Sequence, residues 1–293
     1  SLLGMRFKAR LSSDKLLQFQ GVLSTIEKIS DRCVVHLSEE NVRFCGLKAQ
    51  RSEEVMSYAD LNQEELFIEY RIESQSSNCI LFELSLQNFL DALNSAKKAP
   101  QCQIKLTKRN GQAVLCVETR AMEIDVVHDI PVVVMRASEY EYYRPPDVPR
   151  PEVQLELPTA KNFKHVVDRL KNMARNVYLR GAMAGSLTLH TDTEGVSIRT
   201  FFTNLQPRYE SLIDDCEENT CILKVDPKKL AMVLHAYTFL RFNSIIMCMV
   251  PNHSLILHVL LEPTSNGTLT FYLPIMVMGE DEAFSGNESM DED

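Results

Sequence analysis

The sequence predicts an α+β chain: two similar domains, each with two helices packed on antiparallel β-sheets, joined by a long connector. Three observations carry this. Apolar residues alternate with polar ones in many short runs, and only four stretches show the broader apolar stripe of a helix. The order strand, helix, several strands, helix, three strands occurs twice, a repeat of architecture without repeat of residue identity. Between the two copies lies the segment 128–158, where Pro145, Pro146, Pro149 and Pro151 keep the chain extended and act as a semi-rigid spacer. The domains are placed at 5–129 and 152–278, the connector at 130–151, and an acidic tail, expected to be disordered, at 279–293. Residues 1–4, before Met5, are set aside from the fold reasoning.

In the first half, residues 5–11 alternate as a strand. Ser13 is the expected cap of a helix over 13–30, with Leu16, Phe19, Leu23 and Ile26 on one stripe. Strands are expected at 33–37, 42–45, 54–58, 66–72 and 79–84. A second helix spans 85–99 with Leu86, Phe89, Leu90 and Leu93 inward, and Pro100 stops it. Strands at 103–107, 112–118 and 122–128 complete the half, the first two joined by a hairpin turn at Asn110-Gly111.

In the second half a strand at 152–157 precedes a helix over 159–176, capped by Thr159, with Phe163, Val166, Val167, Leu170 and Met173 as its buried stripe. Strands fit 176–181, 186–190, 195–202, 209–213 and 221–225. The fourth helix spans 226–239, where Asp226 is the cap, Pro227 takes the first helical position, and Leu230, Val233, Leu234 and Tyr237 face the core. Strands at 244–250, 254–261 and 268–273 close the block.

Composition excludes several classes. No apolar run approaches the roughly 18 residues of a membrane span, so no membrane contact is expected. Most of the eight cysteines sit in apolar strand-like runs, the pattern of reduced core thiols and not of a disulfide framework. His128-Asp129 is adjacent as in some metal phosphohydrolases, yet it ends a strand before Pro131 and lacks companion histidines. Cys216 and Cys221 have no second pair at zinc spacing, and Asp214, Asp215, Glu217 and Glu218 read as a solvated loop. No phosphate loop, nucleophile elbow or zinc-protease motif is present, so neither catalysis, a metal nor a cofactor is expected.

The net charge of −9 is unevenly divided. The four expected helices hold eleven basic and five acidic residues, a surplus of +6 that leaves −15 for the rest of the chain. Lys15, Lys161, Lys164, Arg169, Lys171, Arg175, Lys228 and Lys229 are candidates to face a polyanion, and the third helix makes the best case. The second helix shows Gln87, Asn88, Asp91 and Asn94 outward and makes a poor one. The plain alternative is that Lys and Arg simply populate helix exteriors.

The duplicated β-rich halves and their connector resemble a DNA sliding clamp of the PCNA type. The opening MRFKARL, the segment HDIPVVV, the run VPRPEVQLELP before a helix and the closing FYLPI are similar to the Hus subunit of the nine-one-one checkpoint clamp. This resemblance implies a sliding-clamp fold and a non-catalytic subunit of a heterotrimeric, one-to-one-to-one ring around double-stranded DNA, held without sequence preference. It implies helices lining the hole, a checkpoint clamp loader that places the ring, and checkpoint and repair proteins recruited to it. It also implies a nuclear location, with some protein in the cytoplasm. The alternative is a homotrimeric replication processivity clamp; further off stands a β-rich enzyme with an unfamiliar site. By position in the repeat, the outer strands are expected at Val114, Leu115, Cys116 and Val117 in the first half and at Val196, Ile198, Thr200 and Phe201 in the second, offering unprotected edges to the neighbours. Ile130, Pro131, Tyr140, Tyr142 and Tyr143 are expected along a connector groove that takes partner peptides; the alternative for the tyrosines is that they pack the connector down.

Overall fold

The computed structural model describes residues 4–46, 53–96, 99–121, 124–208 and 219–278. The expected strand at 209–213, Lys97 and Lys98, the 214–218 acidic loop with Cys216, and the acidic tail lie outside the described residues. The chain forms two compact units, Ser1–Asp147 with Met232–Ile245 and Leu257–Tyr272, and Val148–Ala231 with Ile246–Ile256 and Leu273–Asp293.

The elements follow in chain order. β1 (Arg6–Ser12) runs into α1 (Ser13–Glu27), and Ser12, not Ser13, holds the cap position. The Ser12 hydroxyl bonds Asp14 instead of the backbone and holds that carboxyl below its ordinary pKa. β2 (Arg32–Leu37), β3 (Asn41–Gly46) and β4 (Met56–Asn62) form a meander. α2 (Gln63–Leu66) is a single turn that the sequence does not predict, meeting the expected strand 66–72 only at Leu66; the Asn62 side chain accepts from the Glu64 amide at 2.9 Å and caps it. β5 (Glu69–Glu73), β6 (Ile80–Ser85), α3 (Leu86–Ser95), β7 (Gln101–Arg109), β8 (Gln112–Ala121) and β9 (Ile124–Pro131) follow. Asn110 and Gly111 both have positive φ, 49° and 85°, as the hairpin turn between β7 and β8 requires. The connector is more ordered than its prolines imply: β10 (Val133–Met135) pairs with β6, and Ala137–Tyr143 forms a 3-10 helix before the proline run.

β11 (Val153–Glu156) opens the second series, followed by α4 (Asn162–Met173). Thr159 does not cap α4; Lys161 precedes it, and Asn162 Oδ1 accepts from the Phe163 amide at 2.8 Å. Phe163, Val167 and Leu170 are buried, whereas Met173 at the last turn is 55% exposed. β12 (Val177–Ala182), β13 (Ser186–Thr193), β14 (Val196–Phe202), β15 (Gln206–Pro207) and β16 (Thr220–Val225) come next. The fourth expected helix is capped by Asp226, whose Oδ1 accepts from the Lys228 amide at 2.7 Å, and it starts at Pro227. It divides into α5 (Pro227–Val233) and α6 (Ala236–Phe239), because the bonds tighten to the i→i−3 pattern at His235, Tyr237 and Thr238. β17 (Phe242–Val250), β18 (Ser254–Leu261) and β19 (Gly267–Pro274) end the series.

In the first unit, a five-stranded antiparallel sheet has the order β5-β1-β7-β8-β9, and a second sheet runs β10-β6-β2-β3-β4-β19. Phe19 of α1 sits at the centre, its ring 5.7 Å from Phe44, 6.2 Å from Phe67 and 5.8 Å from Phe89. β19, late in sequence, pairs with β4 through the register Asp60↔Thr268 and Tyr58↔Thr270. In the second unit, a four-stranded sheet runs β14-β13-β12-β16, and β11 pairs with both β17 and β15.

The topology corrects one expected edge. β8 is an interior strand, paired on one side with β7 (Leu115↔Leu106) and on the other with β9 (Leu115↔Ile130). Val114, Leu115, Cys116 and Val117 are all buried, and burial pushes the Cys116 thiol up to about 12. Counting strands from the repeat missed that β9 continues through Pro131 and covers β8. Among the described residues the edge on that side of the sheet is β9, and the other edge is β5.

Candidate functional site

Three surfaces carry candidate chemistry: a cleft under the connector, the outward helix faces, and two open sheet edges.

The cleft, about 280 Å³, lies in the first unit between the 3-10 helix and the strands β2, β3 and β4. Glu139 fixes the start of that helix by accepting from the Arg136 amide at 2.8 Å. Tyr140 then lies flat on His36, with ring centroids 3.9 Å apart and planes 13° from parallel. Arg43 joins the layers: Nε donates to Asp60 at 2.8 Å and Nη1 to the Tyr140 hydroxyl at 3.2 Å. The Arg144 guanidinium stands 5.6 Å from the Tyr140 ring centre. His36 is 7% exposed, and among the described residues its Nδ1 has no hydrogen-bond partner. Burial, reinforced by the charge of Arg43, lowers its pKa to about 4, so the imidazole is neutral near pH 7. Burial likewise pushes up the pKa of Tyr58, another lining residue. The cleft therefore offers aromatic walls, a neutral buried imidazole and a guanidinium at its rim.

The three connector tyrosines part company. Tyr140 anchors the connector, Tyr143 lines the cleft, and Tyr142 is 79% exposed. Ile130 and Pro131 do not line it. They end β9 and pair with Leu115 and Val114 in the other sheet, with Ile130 buried and Pro131 exposed. An aromatic count in the sequence finds the tyrosines, but His36, Arg43 and Asp60 come from strands whose alternation marks them only as polar positions. No local signal identifies them.

On α4, the expected cations are unequally available. Asp168 binds both Lys164 and Lys171, the latter at 2.7 Å, and the Lys164 side chain is only 12% exposed. Burial alone would raise the Asp168 pKa, but the hydrogen bonds from the two lysines outweigh it and hold the carboxyl below its ordinary value. Lys161 and Arg169 are exposed, and among the described residues neither has an ion pair. Arg175 is exposed but lies beyond the end of α4, so it is a loop residue and not a helix one. On the other helices, Lys15 reaches Asn266 Oδ1 at 3.4 Å, Lys228 is exposed and Lys229 half-exposed. α3 has an outward face of Gln87, Asn88, Asp91 and Asn94, without a cation.

The second expected edge is found as an edge. Among the described residues β14 pairs only with β13, and it exposes Val196 by 55% and Phe201 by 59%, with Ile198 and Thr200 half-buried. β9, the corrected edge of the first unit, exposes Ile124 by 66% and Val127 by 51%. His128 and Asp129 on this strand have structural partners: Ser95 Oγ lies 2.9 Å from His128 Nε2, and Arg109 pairs with Asp129 at 3.3 Å. Among the described residues no group of His, Cys, Asp and Glu is arranged to hold a metal ion, and no helix is long and apolar enough to cross a membrane.

The chain as a whole is similar to known proteins. The chain has the fold of PCNA from Thermococcus kodakaraensis, with a TM-score of 0.70 over 92% of this chain and 100% of that one, at 18% identity. It is 29% identical to the "Checkpoint protein hus1 homolog" of Dictyostelium discoideum and 28% to the "Checkpoint protein hus1" of Schizosaccharomyces pombe, in each case over 93% of this chain and 99% or 100% of the relative. It is 30% identical to the "Checkpoint protein HUS1" of Homo sapiens over 69% of this chain and 74% of that protein. The Hus1-like protein family matches residues 5–277, and with a sliding-clamp fold over the same span the chain belongs to that family.

Proposed function

We propose that this chain is a non-catalytic subunit of a heterotrimeric sliding clamp of the DNA damage checkpoint, one copy joining two related subunits to encircle double-stranded DNA. Membership of a family of checkpoint proteins, carried on a PCNA fold, is the observation that supports this reading. The likeness to PCNA is one of fold alone, so it does not favour the homotrimeric replication clamp. Two apolar strand edges, β9 and β14, supply the joints by strand addition. Exposed Lys161, Arg169, Arg175 and Lys228 supply loose, screened contacts to phosphates, without base readout. The cleft under Tyr140 takes extended peptides from checkpoint and repair proteins, and a clamp loader sets the ring on DNA in the nucleus, with a further pool in the cytoplasm. Retention comes from encirclement and needs little affinity.

The test is topological. Loaded with its two partner subunits, the chain stays on closed circular DNA through a high-salt wash and slides off once the circle is cut. Equal loss from both forms contradicts the ring reading.

A further inference from the structure

The outward face of β5, β1 and β7 carries cations that no surface described above uses. Phe7, Ala9 and Leu11 of β1 are buried, so Arg6, Lys8 and Arg10 take the opposite face. The register sets Lys8 directly across from Arg71 on one side and from Lys105 on the other. Three cations thus lie in one row over three strands, although like charges directly opposite destabilise a sheet. The carboxylates stand one row away. Glu69 meets Arg10 Nε at 2.8 Å, Arg71 Nε at 3.0 Å and Lys8 Nζ at 3.8 Å; Glu73 meets Arg6 at 3.7 Å; Glu118 holds Lys105. Five cations share three carboxylates. The shared Glu69 is only 15% exposed, whereas Arg6 is 84% and Arg71 77% exposed, so the positive ends face solvent. A hollow of about 350 Å³ lies over the row, bordered by Arg6, Lys8, Arg71, Lys105, Glu73 and Thr107.

Size decides the kind of anion. Two strand spacings make the patch roughly 10 Å wide, and the step from Arg6 to Arg10 makes it roughly 13 Å long. A turn of duplex DNA is about 34 Å, and its further phosphates would meet Glu69, Glu73 and Glu118 at the margins. A single phosphoryl group carries up to about two negative charges with three acceptor oxygens, and guanidinium forks match it in pairs. We propose that this face docks a partner-protein segment bearing a phosphorylated serine or threonine, the phosphate resting on the Arg71–Lys8–Lys105 row beside Arg6 and Thr107.

Fluorescence anisotropy with the full chain tests this, using a short degenerate peptide pool with a fixed central phosphothreonine, the same pool with threonine, and a short DNA duplex. The phosphorylated pool is expected to bind about tenfold or more tightly than its counterpart, and to weaken with salt. Lys8→Glu or Arg71→Glu is expected to remove that preference, and the milder Lys8→Gln to reduce it with an unchanged melting temperature. Lys108→Glu, on the opposite face of β7, is expected to leave it intact. Equal binding of the two pools, indifference to Lys8→Gln and Arg71→Glu, or tighter binding of the duplex through the same residues would overturn the proposal.

Discussion

Gly21 shows how one residue sets a packing distance. A helix interior normally disfavours glycine by about 1 kcal/mol against alanine. Here a Cβ at position 21 would stand 2.3 Å from the Phe239 carbonyl oxygen, where α6 crosses α1. Gly21→Ala is therefore expected to destabilise the fold by about 1–3 kcal/mol, because overpacking outweighs the gain in propensity; chemical denaturation measures it. His36 gives a pH signature. Its folded pKa, about 4, lies below the ordinary 6.5, so the folded chain binds fewer protons between these values. Stability from His36 is full above pH 6.5 and is lost as the pH falls toward about 4. His36→Gln is expected to flatten the melting temperature over that window, and an unchanged slope would remove the assignment. Asp168 acts lower: its pKa lies below 3.8, so its contribution persists above that value and disappears only under stronger acid.

At the scale of elements, interior and edge strands respond differently to the same kind of change. Proline at Leu115 interrupts β8 between two partners in the core and is expected to cost about 3 kcal/mol or more, unfolding the unit without addressing any neighbour. A charge on an exposed edge side chain does the opposite. Phe201→Glu on β14 and Val127→Glu on β9 are expected to leave the stability of the isolated chain within about 0.5 kcal/mol of its original value. Each is expected to release one ring neighbour and not the other, read by native mass spectrometry. Loss of both neighbours from either change would contradict the assignment of the edges. The connector is an element of its own kind: β10 and the 3-10 helix pin it to the first unit, and Tyr140 closes it over His36.

At the scale of the whole molecule, the proposed ring demands that the chain alone does not close. The isolated protein is expected to be a monomer in light scattering and to enter a one-to-one-to-one particle with two related subunits. A stable homotrimer would return the replication-clamp alternative. Of the cations, Arg169→Glu is expected to shorten retention on DNA more than Lys164→Glu, because Lys164 is already held by Asp168.

The sequence by itself determined the α+β plan of two similar halves and most of the helix cores, Met173 excepted. Periodicity is a local property, and Leu16, Phe19, Leu23 and Ile26, or Leu230, Val233, Leu234 and Tyr237, are buried as their spacing requires. The resemblance in its proline and opening motifs also pointed to the family that matches. Tertiary structure alone decided which strand is an edge, since that depends on partners: β8 and β14 look alike as runs of residues, yet β9 covers one and no described strand of its sheet covers the outer side of the other. It alone brought His36, Arg43, Asp60 and Tyr140 together across about a hundred residues of chain, and set Lys8 between Arg71 and Lys105. Cross-strand register joins residues far apart in sequence, and no local pattern records it.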